Sequence, residues 1–127
     1  MISMVSSGTL QAATVITKTT QTLIGHEIPC GGYDKITLFF DYVNGDETTL
    51  VLQAHMLQAT AGTEYQYMTW SATAGAKTMT KNTFSSTVTG SYYITFNIGG
   101  IEFIKFTQAT ADGTPTGTLA ATYTMTS

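Results

Sequence analysis

Ile36-Thr37-Leu38-Phe39-Phe40-Asp41-Tyr42 alternates apolar and polar residues, and Thr49-Leu50-Val51-Leu52-Gln53-Ala54-His55-Met56 does so again, with Asn44-Gly45 between them. Period-two alternation is the signature of a strand with one buried face. Asn-Gly between two such runs is a strong short-range signal for a tight turn. The stretch therefore predicts a hairpin over 33–43 and 46–57, with Asn44 and Gly45 as its turn. Ile36, Leu38, Phe40 and Tyr42 share one face and should meet Leu50, Leu52, Ala54 and Met56. Phe39 and Val51 fall on the other face. Two apolar faces imply either a central pair or an outer face covered by a partner.

The rest of the chain is written in the same style. Leu10, Ala12 and Ile16 alternate weakly over 9–18. Leu23, Ile24 and Ile28 precede a stop at Pro29-Cys30-Gly31-Gly32, a turn cluster. Residues 64–71 read as a strand, Ser71 to Lys81 as a long loop with a short strand near 77–80, and 84–89 as a further strand. Tyr92, Ile94, Phe96 and Ile98 alternate up to a turn at Gly99-Gly100. The phase then slips between Ile101/Phe103 and Ile104/Phe106, which predicts a bulge or a strand buried on both sides. Asp112 to Gly117 is a turn-rich loop, and Leu119, Ala121, Tyr123 and Met125 make the last strand. No apolar stripe has helical spacing with caps. The expected fold is all-β, a single antiparallel β-sandwich of about eight strands with jelly-roll or immunoglobulin-like topology and almost no helix. Residues 1–20 read as an N-terminal arm or edge strand and 21–127 as the sandwich.

Composition narrows the function. The chain has 127 residues, 43% of them hydrophobic, enough for one core without disulfide staples. Only 10% are charged, while threonine supplies roughly one residue in five and suits a polar, uncharged strand surface. Charge is scarce where protein surfaces are covered by neighbours, so assembly into a larger particle is expected. The five basic residues, Lys18, Lys35, Lys77, Lys81 and Lys105, include no arginine and form no stripe, which argues against nucleic-acid binding. No run approaches the length of a membrane span, and the first residues lack a secretory pattern. The expectation is a protein made in the cytosol and used without secretory export.

Few residues could carry chemistry. Cys30 is the single cysteine, so no disulfide forms within the chain. His26, Glu27 and Cys30 have no fourth zinc partner at a suitable spacing. Cys30 with His26 or His55 lacks a recognisable nucleophile motif. Asp41, Asn44, Asp46 and Glu47 cluster at the hairpin tip and offer oxygen ligands for calcium, though such residues also serve the turn itself. Asp46 and Glu47, adjacent on the chain, point apart and cannot act as a glycosidase pair. No cofactor or metal is expected, and no enzyme. Tyr65, Tyr67 and Trp70, with Tyr92 and Tyr93, could stack on sugars or pack against a partner.

Tyr33-Asp34-Lys35-Ile36-Thr37-Leu38, Asp41-Tyr42-Val43-Asn44-Gly45-Asp46-Glu47-Thr48, Gly90-Ser91-Tyr92-Tyr93-Ile94 and Asp112-Gly113-Thr114-Pro115-Thr116-Gly117 carry a resemblance in style and turn motifs. Over about residues 33–126 the chain resembles small β-sandwich virion proteins of tailed bacteriophages, most of all capsid decoration or cement proteins. The resemblance implies a non-enzymatic protein of the virion, on the capsid surface, that binds the major capsid protein and copies of itself as a homotrimer. It also implies an N-terminal arm, Met1 to Thr20, reaching across the shell. The alternatives are a carbohydrate- or receptor-binding module, such as a head fibre or adhesin, and a neck or tail component.

Overall fold

A computed structural model of the chain describes residues 4–18, 20–47, 49–60, 62–66, 68–73, 76–81, 83–86, 88–110 and 114–127, and from 66 to 87 the course of the strands alone. Its strands are β1 (Val5–Val15), β2 (Thr22–Leu23), β3 (Ile28–Pro29), β4 (Lys35–Val43), β5 (Leu50–Leu57), β6 (Tyr65–Gln66), β7 (Met68–Thr73), β8 (Ala76–Lys81), β9 (Thr83–Ser86), β10 (Gly90–Asn97), β11 (Phe103–Ala109) and β12 (Thr118–Thr126). Eight of these have six residues or more, and among the described residues there is no helix. The fold is all-β, with every strand pair antiparallel.

Two sheets form the sandwich. One runs β1-β12-β4-β10, and the other β2-β11-β5-β6, with β3 pairing β11 and β9 pairing β5. Alternation along β4 turns Ile36, Leu38, Phe40 and Tyr42 inward, and all four are buried. Leu119, Ala121 and Met125 of β12 and Phe96 of β10 join them from the same sheet. Leu50, Leu52, Ala54 and Met56 of β5, with Ile104 and Phe106 of β11, close the core from the other. Phe96 and Phe106 meet across the middle with ring centroids 5.4 Å apart, a spacing favourable to tilted aromatic pairs.

The hairpin predicted over 33–57 does not form. β4 pairs with β10 and β12, whereas β5 pairs with β11, β6 and β9 in the opposite sheet. The two apolar sets do meet, but across the core and not side by side. Between Val43 and Leu50 the chain changes sheets. Gly45 keeps an ordinary φ, and among the described residues the positive-φ glycines are Gly25, Gly32 and Gly100. Gly45 is small for another reason: a Cβ there would strike Thr116 Oγ1 and the backbone nitrogen of Gly117. The turns read at Gly32 and Gly100 are present, closed by Tyr33 N–H to Cys30 C=O and Ile101 N–H to Ile98 C=O.

Other local readings shift as well. The strand expected over 64–71 is two elements, β6 and β7. The long loop expected over 71–81 is mostly strand, since β7 and β8 form a hairpin of their own. The phase slip after Ile101 produces no bulge. β11 pairs with β5 in unbroken register from Phe103 to Ala109 and is buried on both faces along its second half. β1 lies along β12 as the edge of its sheet, its ladder shifted twice, between Thr9 and Gln11 and between Gln11 and Thr14.

Candidate functional site: an uncharged sheet face with an aromatic pair

The outer face of β1-β12-β4-β10 follows from the register. Rows across it read Ser7–Thr124–Thr37–Thr95 and Thr9–Thr122–Phe39–Tyr93, with Ala120–Asp41–Ser91 on one side and Thr126–Lys35–Asn97 on the other. Hydroxyls satisfy one another along it: Ser7 and Thr124 lie 3.0 Å apart and Thr37 and Thr95 2.9 Å apart. Lys35 and Asp41 are the only charges in these rows, and Ser91 donates to Asp41 at 2.6 Å. Phe39 and Tyr93 are cross-strand neighbours with centroids 6.3 Å apart. They remain 43% and 71% exposed. A depression of about 280 Å³ opens beside them, lined by Phe39, Phe40, Asp41, Ser91, Tyr92 and Tyr93. Chemically, the face offers two aromatic rings, one carboxylate, one ammonium and a field of hydroxyls.

Beneath one end of this sheet lies a polar cluster built on Glu47, which sequence marked only as a possible ligand or turn residue. Glu47 is 3% exposed. Its Oε2 accepts from the Tyr42 hydroxyl and the Gly45 N–H, both at 2.6 Å. Its Oε1 accepts from the N–H groups of Thr116 at 3.0 Å and Gly117 at 2.8 Å. Asn44 Nδ2 donates to the Tyr42 oxygen at 2.7 Å. Burial alone would raise the Glu47 carboxyl, but the hydrogen bonds from Tyr42, Gly45 and Gly117 outweigh it and bring it from 4.5 down to about 2. Burial, and then the bond to Glu47, pushes the Tyr42 hydroxyl up from 10.0 to about 12. Glu47 thus ties the crossing between sheets to the chain entering β12. Both its oxygens are committed to donors, which leaves it poorly suited to the calcium role considered from sequence. Among the described residues no group of three or more metal-ligating side chains gathers.

A second polar set lies on β5 and β11. His55 Nε2 is 3.0 Å from Thr107 Oγ1, and Thr107 donates to Gln21 Oε1 at 2.7 Å. The Thr107 proton is therefore spent on Gln21, and His55 donates from Nε2. Its Nδ1 stands 3.6 Å from Glu64, which also pairs with Lys105. The Lys105 hydrogen bond holds the Glu64 carboxyl below its usual range. The order Thr–His–Glu resembles a nucleophile relay, but Thr107 is only 7% exposed and points its proton away from the histidine. Cys30 is fully buried, and burial followed by the nearby Glu102 charge lifts its thiol from 9.0 to about 11. Such a thiol is a poor nucleophile. His26 bonds the Glu27 carbonyl through Nδ1.

Tyr65 stands in β6 opposite Met56 and is half exposed. Trp70 sits in β7 opposite Met79. Tyr67 lies outside the described residues, as do Asp112 and Gly113 of the predicted turn. Phe39 is the ring that joins Tyr93 on the outer face, and its position on the second face of β4 is legible from alternation.

A scan against known protein families finds no match, and no curated protein sequence matches the chain. Solved structures do. The SPBc2 prophage-derived protein YomS superposes with a TM-score of 0.61 at 18% identity, over 100% of this chain and 96% of that one. The fold is shared with YomS. The PBSX exported protein XepA gives 0.58 at 16% identity, and the VP2 subviral particle of infectious bursal disease virus gives 0.56 at 9%. This chain spans 39% of XepA and 32% of VP2, while nearly all of it is covered in both comparisons.

Proposed function

We propose that the chain is a non-enzymatic structural protein of a phage virion, which decorates the capsid by docking the outer face of β1-β12-β4-β10 on the major capsid protein. The observation that carries this reading is the face itself: nearly uncharged, lined by hydroxyls, and centred on the exposed pair Phe39 and Tyr93. Covering such a face removes apolar rings from water without stranding charges, which is what interface cores do. The likeness of fold to a prophage-derived protein and to part of the VP2 of a viral subviral particle supports it. The phage resemblance implies trimers on the shell, whereas a sheet that ends at β10 among the described residues favours pairs.

Co-sedimentation with undecorated capsids of the parent phage tests the reading. Wild type should pellet with the shells and Phe39→Ala/Tyr93→Ala should stay in the supernatant, with both proteins equally folded by circular dichroism. Binding that survives the double substitution would remove this face from the proposal, and binding to tails or necks alone would move the role there. A carbohydrate-binding role is favoured by one observation, the two rings beside the Asp41 carboxylate, an arrangement able to stack on a sugar and accept its hydroxyls. A glycan screen with Tyr93→Ala, and with Tyr65→Ala and Trp70→Ala for the aromatics chosen from sequence, would read it.

A further inference from the structure

β10 ends its sheet with no described strand beyond it, and it carries none of the devices that keep sheet edges from pairing. Its sequence, Gly90-Ser-Tyr-Tyr-Ile-Thr-Phe-Asn97, has no charge and no proline. Its register with β4 runs from Gly90 to Asn97 without a shift. The opposite edge, β1, is broken twice in register, and bulges of that kind blunt an edge. β10 is also incompletely covered. Tyr92 and Ile94 point toward the core but are only partly buried, and Tyr93 stands out on the other face.

Ile98 N–H donates to the Asp34 carbonyl at 2.8 Å, just beyond the Asn97–Lys35 pair. Backbone groups alternate sides along an antiparallel strand. Residues 92, 94 and 96 therefore bond β4, while the N–H and C=O of Ser91, Tyr93 and Thr95 point off the edge.

We propose that β10 pairs antiparallel with β10 of a second copy about a two-fold axis at Ile94, joining two four-stranded sheets into one of eight. Two self-pairings keep faces aligned and overlap seven residues of β10, about Tyr93 and about Ile94, and only the second matches apolar residues along the core side. It sets Ile94 against the partner's Ile94 and Tyr92 against the partner's Phe96 on the core side, and Tyr93 against the partner's Thr95 outside. One outer row then reads Lys35, Asn97, the partner's Ser91, the partner's Asp41. The two charges stand about 14 Å apart at backbone level, three strand spacings of about 4.8 Å, with opposite signs in the same row at both ends of the dimer. No like charges meet. A two-fold interface is self-complementary by construction, and main-chain bonds at a sheet edge need no special side chains. The pairing holds whether or not the chain binds a shell, and it replaces the three-fold arrangement implied by the phage resemblance.

Two measurements test it. Light scattering of wild type over a dilution series should give twice 13.6 kDa at high concentration, falling to the monomer on dilution. Thr95→Pro removes only a donor that points off the edge, and it should stay monomeric where wild type is dimeric. Ile94→Cys gives a second reading that does not depend on how Thr95→Pro folds. Residue 94 would face its own copy in the close, non-hydrogen-bonded position, within disulfide reach. Cys30 is fully buried and contributes no background. Oxidised Ile94→Cys should run as a covalent dimer on a non-reducing gel, and Thr122→Cys, on the outer face of β12, should not. A wild type that is monomeric throughout, a mass of three protomers, or cross-linking at Thr122→Cys in place of Ile94→Cys would overturn the proposal.

Discussion

Replacing Glu47 by glutamine should remove most of the acid sensitivity of this fold along with part of its stability. The carboxylate accepts from four donors, and three of them are backbone N–H groups that cannot turn away. An amide at the Oε2 position would leave Gly45 N–H facing another donor. Losing one member of a buried charged network costs about 3–5 kcal/mol, and that loss is expected for Glu47→Gln near neutral pH. The pH dependence is the sharper signature. The folded carboxyl lies at about 2 against an ordinary 4.5, which at about 1.4 kcal/mol per unit is about 3 kcal/mol of stability. Because the folded value is depressed, this contribution is fully present above the ordinary value and is lost as pH falls through the folded one. Urea unfolding of wild type should therefore weaken by about 3 kcal/mol between about pH 5 and pH 2, and Glu47→Gln should lack most of that slope. Glu64 is depressed too, but it is 42% exposed and solvent screening leaves it a small share. If Glu47→Gln loses stability with acid as steeply as wild type, the clasp is not the source and the reasoning fails.

Three further outcomes follow from packing. Gly45→Ala should destabilise by about 1–3 kcal/mol through overpacking against Thr116 and Gly117; Gly100→Ala meets nothing within 4 Å and should cost only about 1 kcal/mol for its positive φ, so equal losses in thermal melts would discredit the close approach at Gly45. Phe96→Ala should cost about 3–5 kcal/mol, because Phe96 is buried and contacts Phe106 across the sandwich; chemical denaturation reads it, and a loss under about 1 kcal/mol would mean the two sheets are not joined there. Cys30 should be silent to a thiol reagent at mildly alkaline pH and react only on unfolding, since its thiol titrates near 11 and is fully buried; rapid labelling of the folded protein would contradict that burial.

What was legible in the sequence was which side of each strand faces the core. Alternation placed Ile36, Leu38, Phe40 and Tyr42 together, and Leu50, Leu52, Ala54 and Met56 together, and both sets are in the core. Alternation does not say which strand lies alongside which. Two strands of a hairpin and two strands facing each other across a sandwich have the same period, so β4 and β5 read as neighbours when they belong to opposite sheets. Asn44-Gly45 strengthened that misreading, because a glycine needed for left-handed backbone and one needed for close approach are the same letter. The atoms that require Gly45 to be small belong to Thr116 and Gly117, about seventy positions away. The role of Glu47 was hidden for the same reason. Beside a turn it read as a calcium ligand or a turn residue, and the donors that bury it come from β4 and from the approach to β12.

The low charge content, by contrast, becomes more informative once the residues have positions. A sparse charge count spread evenly would say little about any one surface. Here several charges are drawn away from the outer rows: Glu47 is held by neutral donors inside the sheet crossing, and Glu64 pairs with Lys105 on the β11 side. The outer rows of β12, β4 and β10 keep one lysine and one aspartate, at opposite ends, with the aspartate already bonded by Ser91. Burying a charge without a partner is costly, and burying hydroxyls that bond one another is much less so. The Thr37–Thr95 and Ser7–Thr124 pairs mean that the face could lose its water with few donors stranded, while the rings of Phe39 and Tyr93 would gain from the loss. That asymmetry between what desolvation costs and what it returns is the physical reason to look for a partner on this face before any other.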